Sequence, residues 1–252
     1  MAEFKSYLSF YDFYNSISQW RYIRNTEQEE FLSVVLKTSE SRRKELPKNI
    51  TLWRAQIGHD LREYEIDGEK DAEECPFDVD RMKPLKYKAS EGRANPKGIS
   101  YLYTAYEKDT AIAEVRPWVG AYVSVAQLKV TKPLTLINCV AEKSQLKIYS
   151  NEPDVPERER KVWQNINEAF SKPVTQNDFV SDYVPTQIIA EMFRHNGLDG
   201  LVYKSSLCSG LNVALFDLDM ARVINCTLFQ VKSVRFCSVE TGSQYFVEKK
   251  SL

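Results

Sequence analysis

The sequence predicts a mixed α/β protein preceded by a small helical segment, on three observations. Aromatic and aliphatic residues recur three or four apart from about Phe4 to Lys44, the spacing of an amphipathic helix. Beyond Pro47, short runs of β-branched and aromatic residues are bounded by Gly, Pro and Asn, as strands are. Helical start and stop signals fall between those runs. The break at Leu46-Pro47-Lys48-Asn49 divides the chain into a helical extension over 1–46 and a main body over 47–252.

In order, Phe13, Ile17, Trp20, Ile23 and then Phe31, Val34, Val35 mark the helical segment. Ile50-Thr51-Leu52-Trp53 reads as a strand. Residues from about Asp60 to Lys97 are charged and rich in Gly and Pro, which predicts a long surface excursion of the kind that often carries function. Ile99 to Tyr103 reads as a buried strand. Asp109 or Thr110 is placed to cap a helix through Ala113, with Glu114 about one turn into it. Ala121 to Val130 and Leu134 to Ile137 read as strands, and Pro153 to about Phe170 as a polar, solvent-washed helix. Pro185-Thr186-Gln187 starts a helix that Gly197 ends. Leu201-Val202-Tyr203 and Leu211 to Phe216 bracket a serine loop, and the runs Cys226 to Val231 and Val234 to Val239 read as closing strands.

A 252-residue chain that is 43% hydrophobic can build a sizeable core. Its net charge of −1 supplies no global field for nucleic acid or an anionic membrane, so an anion site has to be local. Five scattered cysteines without a C-x-x-C pair, beside only two histidines, argue against a disulfide framework or a zinc site. Reduced thiols, no basic-then-apolar leader and no run of membrane-spanning length lead to the expectation of a cytoplasmic protein without metal, membrane or nucleic-acid partners.

Candidate functional residues are the polar ones set in apolar frames. Arg54, between Trp53 and Ala55, needs an anionic partner, which is either a phosphate or a structural Asp or Glu. Arg93 lies in the turn-rich Gly92-Arg93-Ala94-Asn95-Pro96-Lys97-Gly98 loop, where the competing reading is a plain surface arginine. Tyr101, Tyr103 and Tyr106 either fill core or supply a ring for stacking. Glu114, flanked by Ala113 and Val115, is either paired on a helix surface, for instance with Arg116, or set opposite a developing cation. Ser205 and Ser206 precede Gly210, where turn chemistry competes with ligand contact. Arg54-x4-His59 matches the spacing of an Arg-His pair in some helical ribonucleases, but here it spans a strand and a glycine turn. No P-loop, G-x-G-x-x-G or G-x-S-x-G is present.

In this order, Leu52 to Gly58, Gly92 to Ile99, Tyr103 leading to Glu114, Tyr183 to Gln187, and Gly200 to Ser206 resemble the RES-domain family, named for its arginine, glutamate and serine. The resemblance runs from about Leu46 to Phe216, and the helical segment before it resembles an extension found in a subgroup. It implies a split-sheet core like that of ADP-ribosyltransferases and an enzyme that consumes NAD, by phosphorolysis or hydrolysis of the nicotinamide bond. ADP-ribosylation of a protein is the alternative activity, and a nucleotide-sensing module without turnover is the alternative class. Many members are toxins of bacterial toxin-antitoxin pairs, so a cognate antitoxin and a homodimer are the implied protein partners, and inorganic phosphate the implied co-substrate. By the resemblance, Arg54 and Arg93 bind the diphosphate, Tyr103 packs on NAD, Glu114 stabilises the ribosyl centre, and Asn95, Ser205 and Ser206 contact the ligand. Ala94 and Ala55 depart from the family pattern, where aromatics often follow each arginine.

Overall fold

The computed structural model describes residues 3–17, 22–141, 149–172, 180–235 and 237–242. Trp20 and Phe236, both drawn into the sequence reading, lie outside the described residues. The chain runs through helices α1 (Ser9–Ile17) and α2 (Thr26–Thr38), then strands β1 (Arg43–Leu46), β2 (Thr51–Ile57), β3 (Asp60–Ile66), β4 (Glu69–Cys75) and β5 (Leu102–Ala105). Helix α3 (Lys108–Glu114), β6 (Tyr122–Val130), β7 (Leu134–Asn138), α4 (Val155–Ser171) and α5 (Val184–His195) follow. The last strands are β8 (Gly200–Lys204), β9 (Leu211–Leu215) and β10 (Ala221–Gln230).

Eight of these strands form one mixed sheet in the order β1-β7-β8-β9-β5-β2-β6-β10, so the expected mixed α/β class holds. Among the described strand pairs only β7–β8 is parallel. The sheet has a weak seam: β2 pairs with β6 over seven registered positions, yet meets β5 through a single pair, Trp53 with Ala105. The seam divides a five-stranded part from a three-stranded part.

One apolar cluster lies on the helical side of the five-stranded part. It joins Phe10, Phe13 and Ile17 of α1, Phe31, Leu32 and Val35 of α2, and Trp163 and Phe170 of α4 to Leu201 and Tyr203 of β8. Helix α2 is started by a reciprocal cap in which Asn25 and Gln28 each accept from the other's backbone amide. Trp163 ties α4 to the N-terminal segment: its Nε1 donates to Thr38 Oγ1 at 3.0 Å, and the Arg42 guanidinium sits 4.4 Å from its ring centroid. All five cysteines are free thiols, and burial pushes Cys139 up to about 12, far from a reactive thiolate. No helix among the described residues is long and apolar enough to cross a membrane.

Five expectations need correction. The segment up to residue 46 is not helical throughout, since β1 pairs antiparallel with β7 in the main sheet. Within the predicted excursion, β3 and β4 form a hairpin closed by Asp67 and Gly68, both at positive φ. An Asp-Gly turn signals such a hairpin, but its strands carry charge on both faces, so no apolar alternation betrays them. Helix α4 is not washed by solvent, because Val162, Trp163, Ile166 and Phe170 fall on one face and are fully buried. Glu114 closes α3 rather than sitting one turn in, and the cap position is Glu107, without a side-chain cap bond. The described residues of 234–239 are outside regular structure, and β10 instead begins five residues before Cys226.

Removing the α4 anchor tests this packing. Trp163→Ala is expected to destabilise the protein by about 3–5 kcal/mol, lowering Tm by roughly 10 °C in a chain of this size. Thermal unfolding followed by circular dichroism reads it, and an unchanged Tm would contradict a fully buried Trp163.

Candidate active site

A cleft of about 600 Å³ opens at the seam, lined by Arg54, Arg93, Tyr103, Glu114, Tyr203 and Asn212, with Phe77 and Arg81 toward one side. Its size lies within the roughly 300–1,000 Å³ typical of small-molecule sites. Where β2 and β5 part, the Arg54 guanidinium bridges the gap, with Nη1 donating to the Tyr103 carbonyl at 2.9 Å. Arg54 Nε is buried and has no hydrogen-bond partner among the described residues. No carboxylate among them lies within ion-pair distance of it either, which removes the structural ion pair that the sequence left open. Arg54 keeps an edge open to the cleft, yet the protein packed around it is dense enough for desolvation to lower its pKa. A desolvated guanidinium without a counter-charge is a site for an anionic ligand.

Arg93 is delivered by the loop between β4 and β5, which is held in three ways. Asn95 turns inward: Nδ2 donates to the carbonyls of Ser90, Pro96 and Ile99, while Oδ1 accepts from the Tyr103 hydroxyl at 2.7 Å. Gln187 Nε2 donates to the carbonyls of Gly92 and Asn95, and Thr186 Oγ1 donates to the Arg93 carbonyl at 2.6 Å. Gly92 leaves no room for a side chain, since a Cβ there would lie 2.6 Å from Asn95 Oδ1 and 2.7 Å from the Tyr103 hydroxyl. The Arg93 side chain donates to the Phe170 carbonyl at 3.2 Å and sits 6.0 Å from the Tyr203 ring centroid.

Glu114 faces Arg93 across the cleft, with Oε2 4.0 Å from Nη2. Its side chain is 23% exposed against 10% for Arg93, so the carboxylate is the more open of the two. Glu114 Oε1 accepts from Ser205 Oγ at 2.7 Å and from Asn212 Nδ2 at 2.6 Å. The serine loop reaches α3 because Gly210 has no side chain: a Cβ there would meet Thr110 Oγ1 at 1.9 Å. Burial raises the pKa of Tyr103 and pushes Tyr203 up to about 12, so both phenols stay protonated at neutral pH.

The cleft thus unites Arg54, Arg93, Tyr103 and Glu114, with Ser205 directly behind Glu114. Asn95 is buried in its loop and Ser206 is exposed, and neither lines the cleft. Tyr101 packs on Phe216, Tyr106 packs against the second core cluster, and His59 lies tilted against Tyr122. Asn212 and the Phe77–Arg81 stack, with the guanidinium 3.6 Å from the ring centroid, are absent from the sequence reading. Asn212 left a signal, as the one polar residue in Leu211-Asn212-Val213-Ala214-Leu215. Arg81 left none, being one charge among many.

Gly92→Ala is expected to destabilise the loop by about 1–3 kcal/mol through overpacking. Urea unfolding measures it, and a wild-type midpoint would show that the Asn95–Tyr103 contact does not fill this space.

The family model described as the RES domain matches residues 51–232. No curated protein matches the chain. Among solved structures, the crystal structure of the M. tuberculosis MbcT-MbcA toxin-antitoxin complex aligns at 12% identity and a TM-score of 0.45, covering 78% of this chain and 92% of that one. At that distance the likeness bears on neither activity nor partners.

Proposed function

The chain belongs to the RES-domain family, and on that premise we propose that it degrades NAD by breaking the bond between nicotinamide and ribose. The observation that carries this reading is that Arg54, a desolvated guanidinium without a counter-charge, lines the same cleft as a carboxylate, Glu114. Arg54 and Arg93 supply planar, multidentate donors for a diphosphate. Tyr103 and Tyr203 supply neutral aromatic walls.

In this reading NAD lies with its diphosphate on the two arginines and its nicotinamide ribose toward Glu114. As the glycosidic bond stretches, its electron pair moves to the pyridinium nitrogen and the ribose takes on oxocarbenium character. Glu114 stabilises that positive charge electrostatically. Nicotinamide leaves neutral from a cationic ring, so the departing group needs no proton, in keeping with a cleft whose lining includes no histidine. An oxygen of water or inorganic phosphate then bonds to the anomeric carbon, and for water the surplus proton passes to solvent. The family assignment favours a toxin held by a cognate antitoxin as the biological setting.

Glu114→Gln preserves shape and removes the charge. It is expected to lower nicotinamide release by about 10²–10³, while KM for NAD changes little because the diphosphate contacts remain. Chromatographic product analysis with and without phosphate separates the acceptors: ADP-ribose marks hydrolysis and ADP-ribose 1″-phosphate marks phosphorolysis. Nicotinamide release by Glu114→Gln at the wild-type rate would overturn the assignment of Glu114.

A further inference from the structure

Asn212 is the second residue of β9, registered against Tyr203 of β8 on one side and Ala105 of β5 on the other. It is only 3% exposed, and every other residue of the strand is apolar. A buried amide is costly unless its donors are used. The amide spends a donor on Glu114 Oε1 at 2.6 Å, the same oxygen that accepts from Ser205 Oγ at 2.7 Å. Ser205 is also only 3% exposed, and its oxygen accepts from the Leu207 amide at 3.1 Å.

Both donors therefore converge on one carboxylate oxygen and leave the other clear. Glu114 Oε2 has Arg93 Nη2 at 4.0 Å, beyond hydrogen-bonding distance. A free glutamate's terminal torsion is broad and roughly two-fold, so without a clamp the two oxygens would exchange. Two donors on a single oxygen, both fixed by the sheet and the Ser205 loop, abolish that exchange. Among the described residues, Arg93 from the β4–β5 loop and the Tyr203 phenol from β8 act on Glu114 electrostatically.

We propose that Asn212 is a positioning residue: with Ser205 it anchors one oxygen of Glu114 to the sheet and presents the other to the cleft. Ser205, whose hydroxyl proton is given to Glu114, has the same role rather than contacting the ligand. This rests on Glu114 facing the cleavage centre, as proposed above. An asparagine is suited to the task because its amide does not titrate, so the donor it offers is the same at every pH the protein meets.

Two substitutions and two readouts test it. Asn212→Ala removes the donor without a new charge and is expected to lower kcat for nicotinamide release by about 10- to 100-fold through misorientation, with KM within about twofold of wild type. Asn212→Asp is nearly isosteric and sets a second carboxyl against Glu114, so the two share one proton and the upper of their coupled titrations is raised above that of an unfolded carboxyl. The stabilising contribution of that shared proton is present at acid pH and lost as pH rises through the upper titration. Relative to wild type, Asn212→Asp is therefore expected to lose both rate and Tm progressively as pH rises. If Asn212→Ala fails to fold, the Asn212→Asp profiles decide. Should the wild type release no nicotinamide, the NAD reading falls, and the Tm difference between Asn212→Asp and wild type across pH decides the clamp alone. An Asn212→Asp variant that tracks wild type in Tm at every pH, or an Asn212→Ala variant with wild-type kcat, overturns the proposal.

Discussion

The cleft depends on a charge that the fold leaves unneutralised. Taking a guanidinium out of water costs several kcal/mol unless an anion accompanies it, and among the described residues Arg54 has only the Tyr103 carbonyl. What makes this tolerable is the seam. Because β2 and β5 share one register pair, the guanidinium occupies a gap in the ladder instead of a closed core, and one edge remains open to the cleft. A continuous ladder between these strands would leave no such gap. The sheet thus gives up backbone pairing at the point where it holds its most exacting side chain.

Around that charge the remaining site is organised by side-chain groups that make no hydrogen bond to it. Asn95 and Gln187 spend their amides on loop carbonyls, and the Tyr103 hydroxyl closes on Asn95. Their product is the position of Arg93. Glu114 is held in the same indirect way by Ser205 and Asn212, on a loop and a strand that follow it by 91 and 98 residues in the chain. Preorganisation of this kind matters because a charge that must reorient during a reaction stabilises it less.

These indirect roles explain what could be read in the sequence and what could not. Arg54, Arg93, Glu114 and Ser205 were legible because a polar residue in an apolar frame demands a partner. Which partner each takes was not, since Ser205 and Glu114 satisfy one another across the fold. Asn95 and Ser206 were drawn toward the ligand by their places in the motif, but side-chain direction is set by local turn geometry that the motif does not encode. Most strands of the main sheet were legible from β-branched and aromatic runs, but β1, Arg43-Lys44-Glu45-Leu46, has a single apolar residue and lies hidden in the predicted helical segment. The β3–β4 hairpin was hidden because eight acidic residues against Arg62 and Lys70 disguise its alternation. Helix α4 is disguised because its polar residues outnumber its apolar ones, although Val162, Trp163, Ile166 and Phe170 share a face.

The contact between Trp163 and Thr38 has a consequence for how such chains diverge. The matched family region begins at residue 51, yet the apolar faces of α4 and α5 inside it are covered partly by Phe10, Phe13, Phe31 and Val35 from before it. A relative without that N-terminal segment needs polar residues on those faces, or another cover for them. Loss or exchange of the segment is therefore bound to a coordinated rewriting of two helices more than a hundred residues away, and inheritance of the two parts is expected to be linked.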